Sequence, residues 1–341
     1  MEIVIVGLNF GVGMIEEIIN GPGRDYFTVT GVYDLDQKRT EIVAAKYGVK
    51  AYEALDEVLN DDIPIIGLFT PPIGRAKLIN QILDAGKDVI TTKPFELCAD
   101  EAEAVLRKAR ELGRKIMLNS PSPIPSPDVS KILNWSNDYN LGRVIACRCD
   151  TWASYREQQD GKWYDDPKRC PVAPIFRIGI YLINDLVRIM GKARDVHVMH
   201  SRIFTTRPTP DNAQLSILFD NDAIANVFAS FCIEDGQYYK ASLILNFERG
   251  TITRNIGATN REQVLQESSL SLVTLDGEKQ QIIQNEVIIG SSELYPWEDF
   301  HNILLGKVTI PMETDVAIVE SIRVINAMAK AESSGRTEKV I

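Results

Sequence analysis

Met1-Glu-Ile-Val-Ile-Val-Gly-Leu-Asn-Phe-Gly-Val-Gly13 opens the chain with a short apolar run that breaks into glycines and resumes with helical spacing. The run lacks a basic flank and is too short for a signal peptide, so it reads as a first strand turning into a helix. At such a turn the helix presents N–H groups without internal partners and the positive end of its dipole, a natural seat for a pyrophosphate. Against G-x-G-x-x-G the match is poor, because Asn9 and Val12 stand where the second and third glycines would be. Asparagine tolerates left-handed backbone, however, and Gly11 and Gly13 lie close by. The second strand, Thr28–Tyr33, ends on Asp34, where an acidic side chain accepts both ribose hydroxyls of NAD and repels a 2′-phosphate. Together these signals predict a dinucleotide site that includes Gly7, Asn9, Phe10, Gly11, Val12 and Asp34. Arg39, one turn further, would meet a 2′-phosphate, so the expected cofactor is NAD with NADP the lesser alternative. The plainer reading is a tight glycine turn, with Asp34 and Asp36 capping the next helix.

Outward from this turn, short β-rich runs alternate with helical stretches up to about residue 120. The strands are Glu2–Val6, Thr28–Tyr33, Ile65–Phe69, Asp88–Thr91 and Lys115–Leu118; the helices include Asp56–Leu59, Arg75–Ala85 and Ala99–Leu112. Five strands with right-handed crossovers predict an α/β, doubly wound Rossmann domain over residues 1–120. Ser120-Pro-Ser-Pro-Ile-Pro-Ser-Pro127 cannot continue a helix or an interior strand, which places the domain junction there. Beyond it, over 121–341, the pattern is that of an α+β domain on a largely antiparallel open sheet. It begins with a helix near Val129–Trp135, a strand at Val144–Thr151, a polar loop to about Cys170 and a helix at Ile175–Met190. Strands at Asn212–Phe219, Ala223–Cys232 and Tyr238–Phe247 follow, and a last helix runs over Glu313–Glu332.

The bulk composition excludes several classes. At 341 residues each domain can bury a core without staples, and no apolar run is long enough to span a bilayer. The net charge of −10 is diffuse, which argues against nucleic acid. Five cysteines without CxxC spacing read as thiols of a cytoplasmic protein, and three histidines outside any HExxH pattern give no support to a metal site. A small-molecule substrate is the expectation.

Thr70-Pro71-Pro72, the helix running to Ala85-Gly86-Lys87, Thr92-Lys93-Pro94, the Gly179 helix and the segment Thr314–Ser334 together resemble the glucose–fructose oxidoreductase/inositol dehydrogenase (Gfo/Idh/MocA) family over nearly the whole length. The resemblance implies a nicotinamide dinucleotide touching Thr70, Pro71, Arg75, Lys93 and Pro94, and a sugar, sugar derivative or cyclic polyol as substrate. It further implies a homo-oligomer, dimer or tetramer, in which a second subunit covers one face of the C-terminal sheet. The usual Glu-Lys-Pro is Thr92-Lys93-Pro94 here, and a histidine after Thr-Pro is replaced by Arg75. The family's second motif, an Asp, a Gly two on, a His two further and an Asp three beyond, reads Arg177, Gly179, Tyr181 and Asn184. Some members, the dihydrodiol dehydrogenases among them, use tyrosine in place of that histidine, so the resemblance carries the acid–base role to Tyr181.

Oxidising a secondary alcohol needs a base within hydrogen-bond reach whose pKa approaches working pH. An ammonium beside a phenol favours phenolate, so Lys93 and Tyr181 would form the catalytic pair, with Lys93 also on substrate; alternatively Lys93 acts alone, its pKa lowered by burial and a cationic nicotinamide. In a regular helix Arg177, Tyr181 and Asn184 share one face and could line a substrate cleft, with Trp163 as an apolar wall. Against this, Tyr181 could be a core aromatic, Arg177 could pair with Asp165 or Asp166, Trp163 and Tyr164 could simply anchor their loop, and Lys93 could be a strand-end lysine, although the Lys-Pro dipeptide fixes the local chain. Tyr164 to Lys168 also matches the Tyr-x-x-x-Lys of short-chain dehydrogenases, but Pro167 would break the helix that pair requires. The rival function is a non-catalytic dinucleotide-binding sensor or scaffold.

Overall fold

The computed structural model describes residues 1–236, 239–258, 267–276, 280–291 and 294–341. The chain divides into two compact units, residues 1–124 with 295–319, and residues 125–294 with 320–341.

The first unit holds strands β1 (Glu2–Val6), β2 (Thr28–Tyr33), β3 (Lys50–Ala51), β4 (Ile65–Leu68), β5 (Asp88–Thr91) and β6 (Ile116–Leu118). Helices α1 (Leu8–Ile19), α2 (Gln37–Tyr47), α3 (Leu55–Asn60), α4 (Arg75–Asp84) and α5 (Ala99–Glu111) connect them. All pairings are parallel, in the order β3-β2-β1-β4-β5-β6. This is the doubly wound Rossmann sheet, with one short strand, β3, beyond the five expected. β1 and β4 are buried along almost every residue, as strands covered on both faces must be. α5 shows why such helices hold: Asp100 and Glu101 lie in its first turn and Lys108 and Arg110 in its last, matching its dipole, while Ala102, Val105, Leu106 and Ala109 face the sheet.

The second unit begins with α6 (Pro127–Asp138), whose first position takes proline without losing a hydrogen bond. β7 (Val144–Trp152) follows, then a single 3-10 turn at Trp163–Asp165, a π-helical turn at Ile175–Gly179 and α7 (Ile180–Met190). Seven strands come next: β8 (Ala193–Ser201), β9 (Asn212–Phe219), β10 (Ile224–Ser230), β11 (Tyr239–Phe247), β12 (Gly250–Ala258), β13 (Glu267–Leu275) and β14 (Gln281–Ile289). With β15 (Glu338–Lys339) they make a nine-stranded sheet in the order β14-β13-β12-β11-β7-β10-β9-β8-β15. Among the described residues of this sheet only β7 and β10 pair in parallel; the other pairs are antiparallel. The antiparallel open sheet is as expected, with more strands than periodicity revealed. Tyr238, expected to start a strand, lies outside the described residues.

Two helices complete the described chain, α8 (Trp297–Leu304) and α9 (Met312–Ser334). Here a division after residue 120 misses a feature: residues 295–319 return to the first unit. The reason is aromatic burial, since Tyr295, Trp297, Phe300 and Ile303 join Phe27, Phe69 and Ile15 in the core of the Rossmann sheet. Trp297 Nε1 donates to Glu17 Oε2 at 2.8 Å, giving the buried indole its partner.

Among the described residues no helix is long and apolar enough to cross a membrane, and no group of three His, Cys, Asp or Glu side chains could hold a metal ion. The five cysteines are free thiols.

Candidate active site

In the first unit the ends of β1, β2 and β4 enclose a cavity of about 230 Å³, lined by Gly7, Asn9, Asp34, Arg39, Thr70 and Pro71 among others. Gly7 lies in left-handed backbone at φ 89°, and a Cβ there would come within 2.8 Å of the Phe69 carbonyl group. A Cβ on Gly11 would meet Ile5 Cγ2 at 2.8 Å, so this glycine lets α1 lie tightly on β1. Asn9 does not use its tolerance of left-handed backbone: it sits in the first turn of α1 and its Oδ1 accepts from Arg39 Nη1 at 2.8 Å. Val12 packs against the core and Phe10 is half exposed against the rings of Phe69 and Tyr295.

Asp34 does not share the capping of the next helix with Asp36, as the plainer reading had it. Its Oδ2 accepts from Leu8 N at 2.7 Å, so it caps α1, and its Oδ1 accepts from Asp36 N at 2.9 Å. α2 is capped separately by Asp36, which accepts from Arg39 N at 3.2 Å. A carboxylate has lone pairs to spare after two such bonds. Asn9 and Phe10 lie in the first turn of α1, where the helix gives their N–H groups no internal acceptor. Thr70 Oγ1 is buried without a hydrogen-bond partner in the same wall. Pyrophosphate acceptors, ribose hydroxyls and an orphaned hydroxyl are mutually suited, so the residues present fit a nicotinamide dinucleotide.

Lys93 follows β5, partly exposed, on a cis Lys93–Pro94 bond. Its N–H donates to Asn119 Oδ1 at 3.4 Å. Arg75 does not line the cavity, contrary to the expectation that it touches the cofactor. It is the first residue of α4, 1% exposed, and its guanidinium is turned onto backbone carbonyls. Nη1 donates to Thr92 O at 2.6 Å, to Phe95 O at 3.2 Å and to Pro94 O, while Nη2 donates to Thr70 O. Burial pulls its pKa down to about 10.

The second unit holds the remaining expected residues. The π-turn at Ile175–Gly179 changes the register of this helix, so the shared face that a regular helix would give Arg177 and Tyr181 does not follow from their spacing. Arg177 pairs with Glu157 through two hydrogen bonds of 2.6 and 2.9 Å, and not with Asp165 or Asp166. Its guanidinium also lies 4.1 Å from the Tyr164 ring centroid, with Tyr155 and Phe231 at 4.9 and 4.8 Å. Burial works against its charge, yet the Glu157 carboxylate prevails and its pKa is raised. Asp165 is instead taken by Arg207 at 2.5 Å, an arginine that also meets Asp160 at 3.1 Å and Glu157 at 3.4 Å. Trp163 packs on Tyr164 at 4.0 Å and edge-on to Phe176, contacts that hold the loop in place. The 3-10 turn carrying Tyr164 ends before Pro167, so Tyr164 and Lys168 share no helix. Tyr181 is partly exposed on α7 and Asn184 is buried.

Residue spacing gave no sign of Glu157, Arg207, Glu96 or Tyr295. For Tyr295 a signal was present in the aromatic run Tyr295-Pro-Trp297-Glu-Asp-Phe300, which is too apolar for a surface linker.

Comparison with known proteins settles the kinship. Residues 1–120 match the oxidoreductase family with NAD-binding Rossmann fold, and residues 130–253 match the GFO/IDH/MocA C-terminal domain. The chain belongs to the GFO/IDH/MocA oxidoreductase family. It is 27% identical over 191 residues to the dehydrogenase aclE of Aspergillus oryzae, covering 54% of this chain and 51% of that protein. It is 28% identical over 151 residues to an inositol 2-dehydrogenase of Rhodococcus erythropolis, covering 44% and 43%. The chain thus spans about half the length of these curated relatives. The crystal structure of GenD2 from gentamicin A biosynthesis, in complex with NAD, superposes with a TM-score of 0.75 at 17% identity over 100% of this chain and 96% of that one, which establishes a shared fold.

Proposed function

We propose that this GFO/IDH/MocA protein is an NAD-dependent cytoplasmic dehydrogenase or reductase acting on a secondary alcohol or ketone of a sugar, sugar derivative or cyclic polyol. The observation that carries the reading is the cavity at the carboxyl ends of β1, β2 and β4, where Gly7, Asn9, Asp34 and Thr70 offer what a dinucleotide needs, with Lys93 at the end of neighbouring β5. Ligands of doubly wound sheets bind at such strand ends. When bound, the nicotinamide supplies hydride transfer. Lys93 orients the reacting hydroxyl and steadies the charge on its oxygen, and Tyr181 takes or returns the hydroxyl proton. Trp163, Arg177 and Asn184 act on the substrate side chiefly by fixing the loop and helix that carry them.

Because Asp34 offers its remaining lone pairs to ribose hydroxyls and repels a 2′-phosphate, NADH binds more tightly than NADPH. Asp34→Ala is expected to narrow that preference by roughly tenfold, about 1.4 kcal/mol. Fluorescence titration of both cofactors checks this, and tighter NADPH binding by the intact protein contradicts it.

The outer face of the nine-stranded sheet carries Ile224, Ile244, Ile283 and Val287 exposed among polar neighbours, while alternate residues such as Cys147, Leu215 and Leu243 are buried. A second copy covers this face in our reading, giving a dimer or tetramer. Sedimentation at micromolar concentration should show no monomer; a purely monomeric profile would refute it.

A further inference from the structure

We infer that Arg75 is the positioning residue for Lys93. The inference rests on the reading of Lys93 given above. Thr92 O and Pro94 O belong to the residues on either side of Lys93, and both accept from Arg75 Nη1. The other guanidinium nitrogen reaches Thr70 O at the end of β4. A planar, rigid fork therefore joins the chain leaving β4 to the chain leaving β5, with Lys93 between its two gripped carbonyls. A reciprocal contact runs the other way: Glu96 Oε2 accepts from Ala76 N at 2.8 Å in the first turn of α4, and its Oε1 accepts from Leu97 N at 2.6 Å. Asn119 at the end of β6 takes the Lys93 N–H.

Enclosing a guanidinium among carbonyl groups is a costly way to tie two loops, since apolar side chains of similar volume pack without losing hydration. What the charge adds is direction, because one planar group fixes several peptide planes at once. Arg75 and Thr92 lie at opposite ends of one hydrogen bond, in which the Thr92 backbone carbonyl accepts. Arg75 thus holds the peptide planes on both sides of Lys93 and so fixes the direction in which that side chain leaves the backbone.

The test compares Lys93→Met, Arg75→Met and Arg75→Lys in the full chain, reading kcat, KM and the Kd for NADH. Arg75→Met should lower kcat about a hundredfold, the scale of a small misplacement of a reacting group, and leave the NADH Kd within about threefold. Arg75→Lys, which keeps the charge and some donors, should recover about tenfold of that loss and leave about a tenfold deficit. A folded Arg75→Met protein with unchanged kcat overturns the inference, as does a loss of kcat matched by an equal loss of NADH binding that lysine does not relieve. Should Arg75→Met fail to fold, Arg75→Lys decides alone: about a tenfold drop in kcat at constant Kd supports the inference and an unchanged kcat overturns it. Turnover retained by Lys93→Met would instead sink the reading of Lys93 and this inference with it, whereas an inactive Lys93→Met beside unaffected Arg75 variants sinks only the latter.

Discussion

Lys93→Met is expected to abolish measurable turnover, a fall in kcat of roughly a thousandfold or more, while the NADH Kd changes little. The residue lies after β5, away from Gly7, Asn9 and Asp34, which bind the dinucleotide in our reading. A lost contact that exists only as charge develops on the substrate oxygen lowers kcat without a matching change in binding. Tyr181→Phe should cost about a hundredfold, the usual scale for removing a general acid or base. Stopped-flow absorbance of NADH measures both. Full activity in Tyr181→Phe would leave Lys93 to act alone, and full activity in Lys93→Met would remove the proposed mechanism.

Arg254→Met should be the most destabilising single change in the second unit. Arg254 on β12 is 1% exposed and meets Asp128 of α6 at 3.1 Å and Asp185 of α7 at 2.8 Å. Asp128 is fully buried and also accepts from Ser268 Oγ at 3.0 Å, Ser126 Oγ at 2.5 Å and Val129 N at 2.9 Å. Removing the cation leaves two buried carboxylates facing one another's field. Breaking such a network by deleting one partner costs roughly 3–5 kcal/mol. Urea unfolding should show an unfolding free energy lower by that amount, read as a lower midpoint at unchanged slope. A shift below about 1 kcal/mol would mean that water reaches the cluster.

These two cases show where sequence was informative. The Rossmann half was legible because β1, β2, β4 and β5 are short apolar runs between helices, and because Gly7 and Asp34 sit at fixed offsets from strand ends. Gly7 and Asp34 are backbone-level signals: one demands left-handed φ, the other a carboxylate beside a helix start. The outer strands β12 to β14 were harder, since one face is polar and Ile282 and Ile288 alternate with exposed isoleucines, blurring the period of two. Tertiary partners were not legible. Nothing near Arg177 singled out Glu157 above Asp165, and the π-turn that precedes Tyr181 leaves no periodicity of its own. Arg75 was assigned to the cofactor by its place in a motif, whereas its side chain follows the helix it starts and folds back onto the Lys93 loop. The return of Tyr295 and Trp297 to the first unit is likewise a matter of which core has room for them.

The central claim is that the cavity beside β1 and the lysine after β5 make one oxidoreductase. A single-turnover assay of the intact chain with NAD against a panel of polyols and sugars, and with NADH against the matching ketones, tests it most directly through absorbance of the reduced cofactor. The account predicts stoichiometric formation or loss of NADH with at least one member of the panel, abolished by Lys93→Met although NADH still binds. NADH bound at the Asp34 cavity with no turnover of any panel member, in either direction, would contradict it and leave a dinucleotide-binding protein that senses or scaffolds.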